Sequence, residues 1–310
     1  MQATIKQKVT FEGVGLHSGA AVSLTILPAP ADHGIVFLRA DMGVEATIAA
    51  RWDLVTPSRL CTLLDDGQGV TLSTVEHIMA ALAGTGLTNA LVEVSGPEVP
   101  ILDGSSAPFV RGILRAGIEL QANPVRAIRV LRPVELREGD AFARFTPADH
   151  LQIDFHIDFV DRAIGVQKMR LDMANGAFLR ELADSRTFCR QSDVDAMRKS
   201  GLALGGTYLN AVVVDDDQIL TPGGLRHQNE AVRHKMLDAM GDLALAGAPL
   251  LARYTGHRAG HAMTNRLLRK LFADVSAWEW TTCTADQESR LPGAGVAFYG
   301  AAAGIGALAV

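Results

Sequence analysis

Cysteine is scarce in this 310-residue sequence. Cys61, Cys189 and Cys283 are odd in number and far apart. That excludes a disulfide framework and any paired CxxC thiolate site for a metal. A reducing compartment fits best, and a cytoplasmic location is expected. Basic excess is also missing. The formal net charge is −5, with a pI near 6.0. A nucleic-acid partner would need a basic face, so none is expected. A small anion held by a few Lys or Arg is still compatible. The N-terminal MQATIKQKVTFEGVG lacks an apolar run, so no secretory leader is expected there. One long uncharged run exists, LPGAGVAFYGAAAGIGALAV at 291–310. It is long enough to span a membrane, but Gly and Ala dominate it, so insertion would be weakly driven. Its Gly300–Gly304 GxxxG has meaning only in a strong span. A packed or frayed tail is expected instead.

What is present is a chain that is 48% hydrophobic, with mean hydropathy +0.16. That is enough core for two ordinary domains or one large one. Residues 20–27, 34–38 and 89–94 read as strands, short β-rich runs bounded by Gly, Pro and Asp. A helix is predicted over 74–84, with Ser73 or Thr74 as N-cap and Gly84 just past its end. A second helix covers 107–117. QANP (121–124) reads as a linker, placing one α+β domain at 1–122 and another at 123–310. Beyond the linker, 127–136, 141–147, 151–159 and 207–214 read as strands. Residues 176–183 and 192–199 read as short helices, followed by a long helix through 231–245 and another over 261–277.

The long helix raises the functional question. In AVRHKMLDAMGDLAL, His234, Asp238 and Asp242 stand four apart, twice. On a helix they project in one direction, beside the apolar stripe of Val232, Met236, Leu237, Met240 and Leu243. Two readings are open: a polar edge of a surface helix, or a metal site that uses His and Asp at i, i+4. The earlier stretch VEHIMAALAG (75–84) aligns with VRHKMLDAMG (232–241), with Val, His, Met and Gly at identical offsets. If the alignment reflects a repeat, two similar halves would bring His77 and His234 together. His77, His234 and Asp238 would then supply three ligands and leave a fourth position open. Glu76 projects about 100° from His77 and could reach a water there as general base. Asp242 could fix the tautomer of a catalytic histidine, with His261 in RAGHAMTN as the candidate. The plain alternatives are a solvated Glu76 and a helix-cap His261. His17, in GVGLHSG, reads as a turn residue.

STVEHIMAALAG, ILDGSSAPFV, SRTF, GLALGG, VRHKMLDAMGDL and AGHAMTNRLL occur in this order. Together they resemble the zinc-dependent UDP-3-O-acyl-N-acetylglucosamine deacetylases of lipid A biosynthesis, over nearly the whole chain except the tail. The resemblance implies two similar two-layer α/β sandwich domains, each with a small insert, and an active site between them. It implies a Zn2+ held by His77, His234 and Asp238, a set that also accepts Fe2+. It further implies Glu76 as general base, His261 as general acid or electrostatic stabiliser, Asp242 as its partner and Thr187 as an oxyanion contact. Phe188 and Lys235 match substrate contacts, and Asp158 and Phe159 match a uridine-contacting pair. An insert around 189–213 would form an apolar passage for the acyl chain, lined by Met197, Leu202, Ala203 and Val213.

The implied reaction is hydrolysis of the N-acetyl group of an acylated UDP-sugar, by a monomer brought near a membrane only through its substrate. Two departures stand out. The strand after the linker has Ala141, with Arg144 nearby, where the family commonly has a lysine. Arg258 stands where the family has a lysine before the GH motif, which keeps the charge but changes its geometry. Both bear on the diphosphate contacts. The alternatives are a related amidase on another acylated amino sugar, or a silent paralogue that binds nucleotide sugar or lipid. A silent protein would have no need of Glu76, His77, His234, Asp238 and His261 together.

Overall fold

The computed structural model describes residues 1–296. The first half runs β1 (Ala3–Ile5), β2 (Val9–Val14), β3 (Ala21–Leu27), β4 (Ile35–Arg39) and β5 (Thr47–Ala49). A small insert of β6 (Val55–Thr56), β7 (Leu63–Asp65) and β8 (Thr71–Ser73) follows. Then come α1 (Glu76–Thr85), β9 (Ala90–Val94), α2 (Ala107–Ala116) and β10 (Ile118–Leu120). The second half runs β11 (Arg126–Val130), β12 (Val134–Glu138), β13 (Ala141–Pro147), β14 (Gln152–Asp158) and β15 (Val166–Asp172). Its insert holds β16 (Phe188–Arg190), α3 (Gln191–Lys199), β17 (Val212–Asp215) and β18 (Gln218–Ile219). It closes with α4 (Glu230–Ala244), β19 (Leu250–His257), α5 (His261–Ala273), β20 (Trp278–Thr282) and α6 (Ala285–Ser289). The fold is α+β.

The two halves repeat one topology. In the first sheet the order is β2-β3-β9-β4-β5, with β9 antiparallel to β3 and parallel to β4. In the second, β12, β13, β19, β14 and β15 pair in the same senses, with β19 antiparallel to β13 and parallel to β14. In each half one helix follows the insert and a second follows the central strand. β11 and β20 extend the second sheet from the first residues of β19. Alternation builds the layers: β3 buries Val22, Leu24 and Ile26, and β14 buries Ile153, Phe155 and Ile157. α1 is buried nearly all round, as expected of a helix enclosed on both sides. It packs along α4, and one continuous core joins both halves.

Several predicted boundaries shift for physical reasons. Helix α1 starts at Glu76; Thr74 takes φ 60° and gives its hydroxyl to Glu98 instead of capping. Its left-handed end is Gly86, not Gly84. Gly84 lies inside the helix, where a Cβ would stand 2.0 Å from the Phe178 ring. The strand predicted over 127–136 is two strands, β11 and β12, with Pro133 in the break. Of the run 207–214 only the last three residues are extended, as the start of β17 (Val212–Asp215). The short helix predicted over 176–183 is a π-helical turn, Phe178–Leu182. The helix predicted over 261–277 ends at Ala273 and gives way to β20. β15 and β19 were not anticipated. No helix of the described residues is long and apolar enough to cross a membrane. The uncharged tail lies outside the described residues from 297 onward.

Candidate active site

Three helix segments converge. Glu76 and His77 open α1, His234, Asp238 and Asp242 line one stripe of α4, and His261 opens α5. The approach of α1 to α4 depends on Gly241, where a Cβ would lie 2.0 Å from the Glu76 carbonyl oxygen. The His77 and His234 rings meet edge to face, with centroids 5.0 Å apart. Asp238 Oδ1 is 3.2 Å from His234 Nε2 and 3.6 Å from His77 Nε2. It is buried and has no hydrogen-bond partner. An orphaned buried carboxylate oxygen facing two imidazole nitrogens is costly unless a cation completes the group. These residues therefore fit a metal ion, and their donor atoms all lie within 4.8 Å of one another. His234 Nδ1 donates to the Ser185 carbonyl at 3.0 Å, which leaves Nε2 free to ligate. The other carboxylate oxygen of Asp238 accepts from Lys235 Nζ at 2.7 Å. Burial opposes the Asp238 charge, but His234 and Lys235 outweigh it and hold the carboxyl well below its ordinary value. Burial also opposes the Lys235 charge, and Asp238 reverses that to raise it.

Beside this group lies an acid–base pair. Asp242 Oδ2 accepts from His261 Nδ1 at 2.8 Å, so His261 Nε2 faces Glu76 Oε1 at 3.9 Å. Burial pulls the His261 pKa down, but Asp242 and Glu76 more than reverse it, pushing it up to about 9. Burial, helped by Asp238 and Asp242, pushes Glu76 up to about 7 against the pull of His261. Both values are displaced upward, that of Glu76 chiefly by burial and that of His261 by its carboxylate neighbours against burial, the kind of perturbation expected where groups do acid–base chemistry. The group opens into a cavity of about 680 Å³ that runs along the second insert.

A family model for UDP-3-O-acyl N-acetylglycosamine deacetylase matches residues 2–273. The chain belongs to this family. A relative named UDP-3-O-acyl-N-acetylglucosamine deacetylase in Phenylobacterium zucineum is 48% identical over 286 residues, 92% of this chain and 98% of the relative. Relatives of the same name in Vibrio parahaemolyticus and Xanthomonas campestris pv. campestris are 45% and 46% identical over 283 residues. Each of those alignments covers 91% of this chain and 93% of the relative.

The other anticipated residues divide. Thr187 and Phe188 line the cavity, and Thr187 is pinned by its N–H to Gly104 O and its carbonyl to Val212 N. Phe159 lines it too, its ring 5.3 Å from that of Phe188. Asp158, at the exposed end of β14, does not line it. Lys235 and Arg258 are on the wall; Arg258 takes φ 51° and gives its N–H to His156 O. Met197, Leu202, Ala203 and Val213 all face the cavity. Cys189 is also there, with burial pushing its thiol up to about 11, so it is no ready nucleophile.

Two wall or support residues escaped the sequence reading. His17 lines the cavity with both ring nitrogens buried and unpartnered, its loop held by Glu98 through the N–H groups of His17 and Ser18. Thr62, just before β7, donates its N–H to Glu76 Oε2 and its hydroxyl to Asp242 Oδ1. A lone Thr in LCTLL carries no sequence signal for either contact.

Proposed function

We propose that this chain hydrolyses the N-acetyl group of UDP-3-O-acyl-N-acetylglucosamine, releasing acetate and the free 2-amine, the committed step of lipid A biosynthesis. The observation that carries the reading is the convergence of His77, His234 and Asp238 with the Glu76 and His261–Asp242 pair at the head of one cavity. Zn2+, or Fe2+, held by the three donors would polarise the acetamide carbonyl and lower the pKa of water in its open position toward ~7. Glu76 takes the proton of the attacking water. His261, held protonated by Asp242, faces the oxyanion as it forms, and the Thr187 hydroxyl donates to it. Each preorganised donor of this kind is worth roughly 3 kcal/mol. The leaving amine takes its proton from the coupled Glu76–His261 pair.

Phe188 and Lys235 contact the substrate, Phe159 contacts the uridine end with the exposed Asp158 beside it in sequence, and Arg258 contacts the diphosphate. The apolar wall of the second insert takes the acyl chain, whose binding energy positions the reacting amide. The reading carries with it a cytoplasmic monomer that meets a membrane surface only through its acylated substrate. The repeated topology supports a division into domains at 1–122 and 123–310.

Acetate release from UDP-3-O-acyl-N-acetylglucosamine, measured with metal, after chelation and after zinc re-addition, tests the reading. Activity that stops with chelation and returns with zinc is expected. No release by folded, metal-loaded protein would sink it.

A further inference from the structure

We propose that Thr62 is a positioning residue for this reaction: this one residue of the first insert holds the base of one half through its backbone N–H and the acid partner of the other through its hydroxyl.

The geometry is specific. Thr62 is buried, and all its polar groups are used. The N–H donates to Glu76 Oε2 at 3.0 Å, the hydroxyl donates to Asp242 Oδ1 at 2.6 Å, and the carbonyl accepts from Val75 N at 3.5 Å. Each carboxylate therefore has one oxygen committed to Thr62 and one turned to the chemistry. Glu76 keeps Oε1 toward His261 Nε2, and Asp242 keeps Oδ2 on His261 Nδ1. A buried carboxylate with a free oxygen could rotate about its last torsion, and the imidazole bonded to it would follow. The Thr62 hydroxyl blocks that rotation for Asp242. It thereby sets the direction in which His261 Nε2 points.

The insert is itself anchored to the second half. Trp52 N–H donates to Leu245 O at the end of α4. Asn265 and Arg269 on α5 donate to the carbonyls of Trp52, Asp53 and Val55. The strands that deliver Thr62 are thus tied to the helices that carry Asp242 and His261.

The test uses the full-length, metal-loaded enzyme and rests on the deacetylase reading above. Thr62→Val keeps the backbone N–H and the side-chain shape and deletes the hydroxyl. It is expected to lower kcat by about 10–100-fold with KM and metal content unchanged. Thr62→Ser, which restores the donor, is expected to recover most of that loss. In an Asp242→Asn background Thr62→Val is expected to cost little more, because the route through Asp242 is already broken. A hydrogen-bonded His261 Nδ1 proton, assigned by its loss in His261→Gln, should be seen by NMR in wild type and Thr62→Ser and be lost or broadened in Thr62→Val.

Wild-type kcat in Thr62→Val, an equal defect in Thr62→Ser, or an undiminished effect in the Asp242→Asn background would each overturn the proposal. Should Thr62→Val not fold, Thr62→Cys, a weaker donor of similar size, reads the same bond: reduced kcat supports it and wild-type kcat overturns it. If wild type released no acetate the functional reading would fall, while the His261 proton would still report on the clamp.

Discussion

His77 and His234 stand perpendicular, ring planes at 88° and centroids 5.0 Å apart, each on the helix that follows its own half's insert. Their side-by-side placement depends on α1 and α4 packing together at Gly241. Replacing His234 with Ala should abolish bound metal and acetate release while leaving the fold intact. Metal analysis of the purified variant checks this; full occupancy would remove His234 from the ligand set.

Glu76→Ala should behave differently. The variant keeps His77, His234 and Asp238, so metal content should stay at the wild-type level. Turnover should fall by about 10²–10⁴-fold, the scale of a general base. Near-normal kcat in steady-state assays would rule the base role out.

The pH dependence follows from signs. Under the proposed mechanism Glu76 acts ionised, and burial pushes its pKa up to about 7, so activity should fall as pH drops below that value. Under the same mechanism His261 acts protonated, and against burial Asp242 and Glu76 push its pKa up to about 9, so activity should fall above it. A bell in kcat/KM is expected between these limbs. A bound dication favours the less protonated form of both groups and shifts both limbs to lower pH without exchanging them. His261→Ala should remove the upper limb and keep the lower.

Gly241→Ala tests the helix contact. Its Cβ would meet the Glu76 carbonyl oxygen at 2.0 Å, so the helices must move apart. A stability loss of about 1–3 kcal/mol is expected from denaturant unfolding. Activity should drop further than stability, because the displaced backbone carries the base. Unchanged stability would mean that the helices part freely.

The proposed acyl passage can be narrowed at Met197, which faces the cavity from α3. Met197→Trp should lower kcat/KM for long-chain substrates by about tenfold relative to short-chain ones, the scale of one methylene. Equal losses for every chain length would place the acyl group elsewhere.

The α4 stripe was legible because helical spacing is local: positions four apart must share a face whatever surrounds them. The paired helices were legible as a weak repeat for the same reason. β15 was not, since none of its residues is buried and an edge strand leaves little apolar alternation to read. β19 was missed although it is central, because its apolar start runs into Arg253, Thr255 and Gly256. Gly256 is there for Phe155, whose ring a Cβ would meet at 2.7 Å, a packing reason invisible in one dimension. In AGTG the sequence offers two glycines for one helix end, and only the Phe178 ring decides between them. Thr62 and His17 escaped because their roles are long-range contacts, made by residue types common in any turn.

The repeat also shows where likeness stops. Along the aligned helices His77 answers His234 and Gly84 answers Gly241, but Glu76 answers Arg233, Ala81 answers Asp238 and Thr85 answers Asp242. Arg233 turns away to pair with Glu181. Two identical halves would offer a bound carbonyl two indistinguishable sides, with the same groups on each. Here the Glu76 carboxylate comes from one half and the His261 imidazole from the other, so an amide entering the cavity meets a front and a back. The duplicated frame brings His77 and His234 together, and the substitutions within it give the proposed reaction a direction.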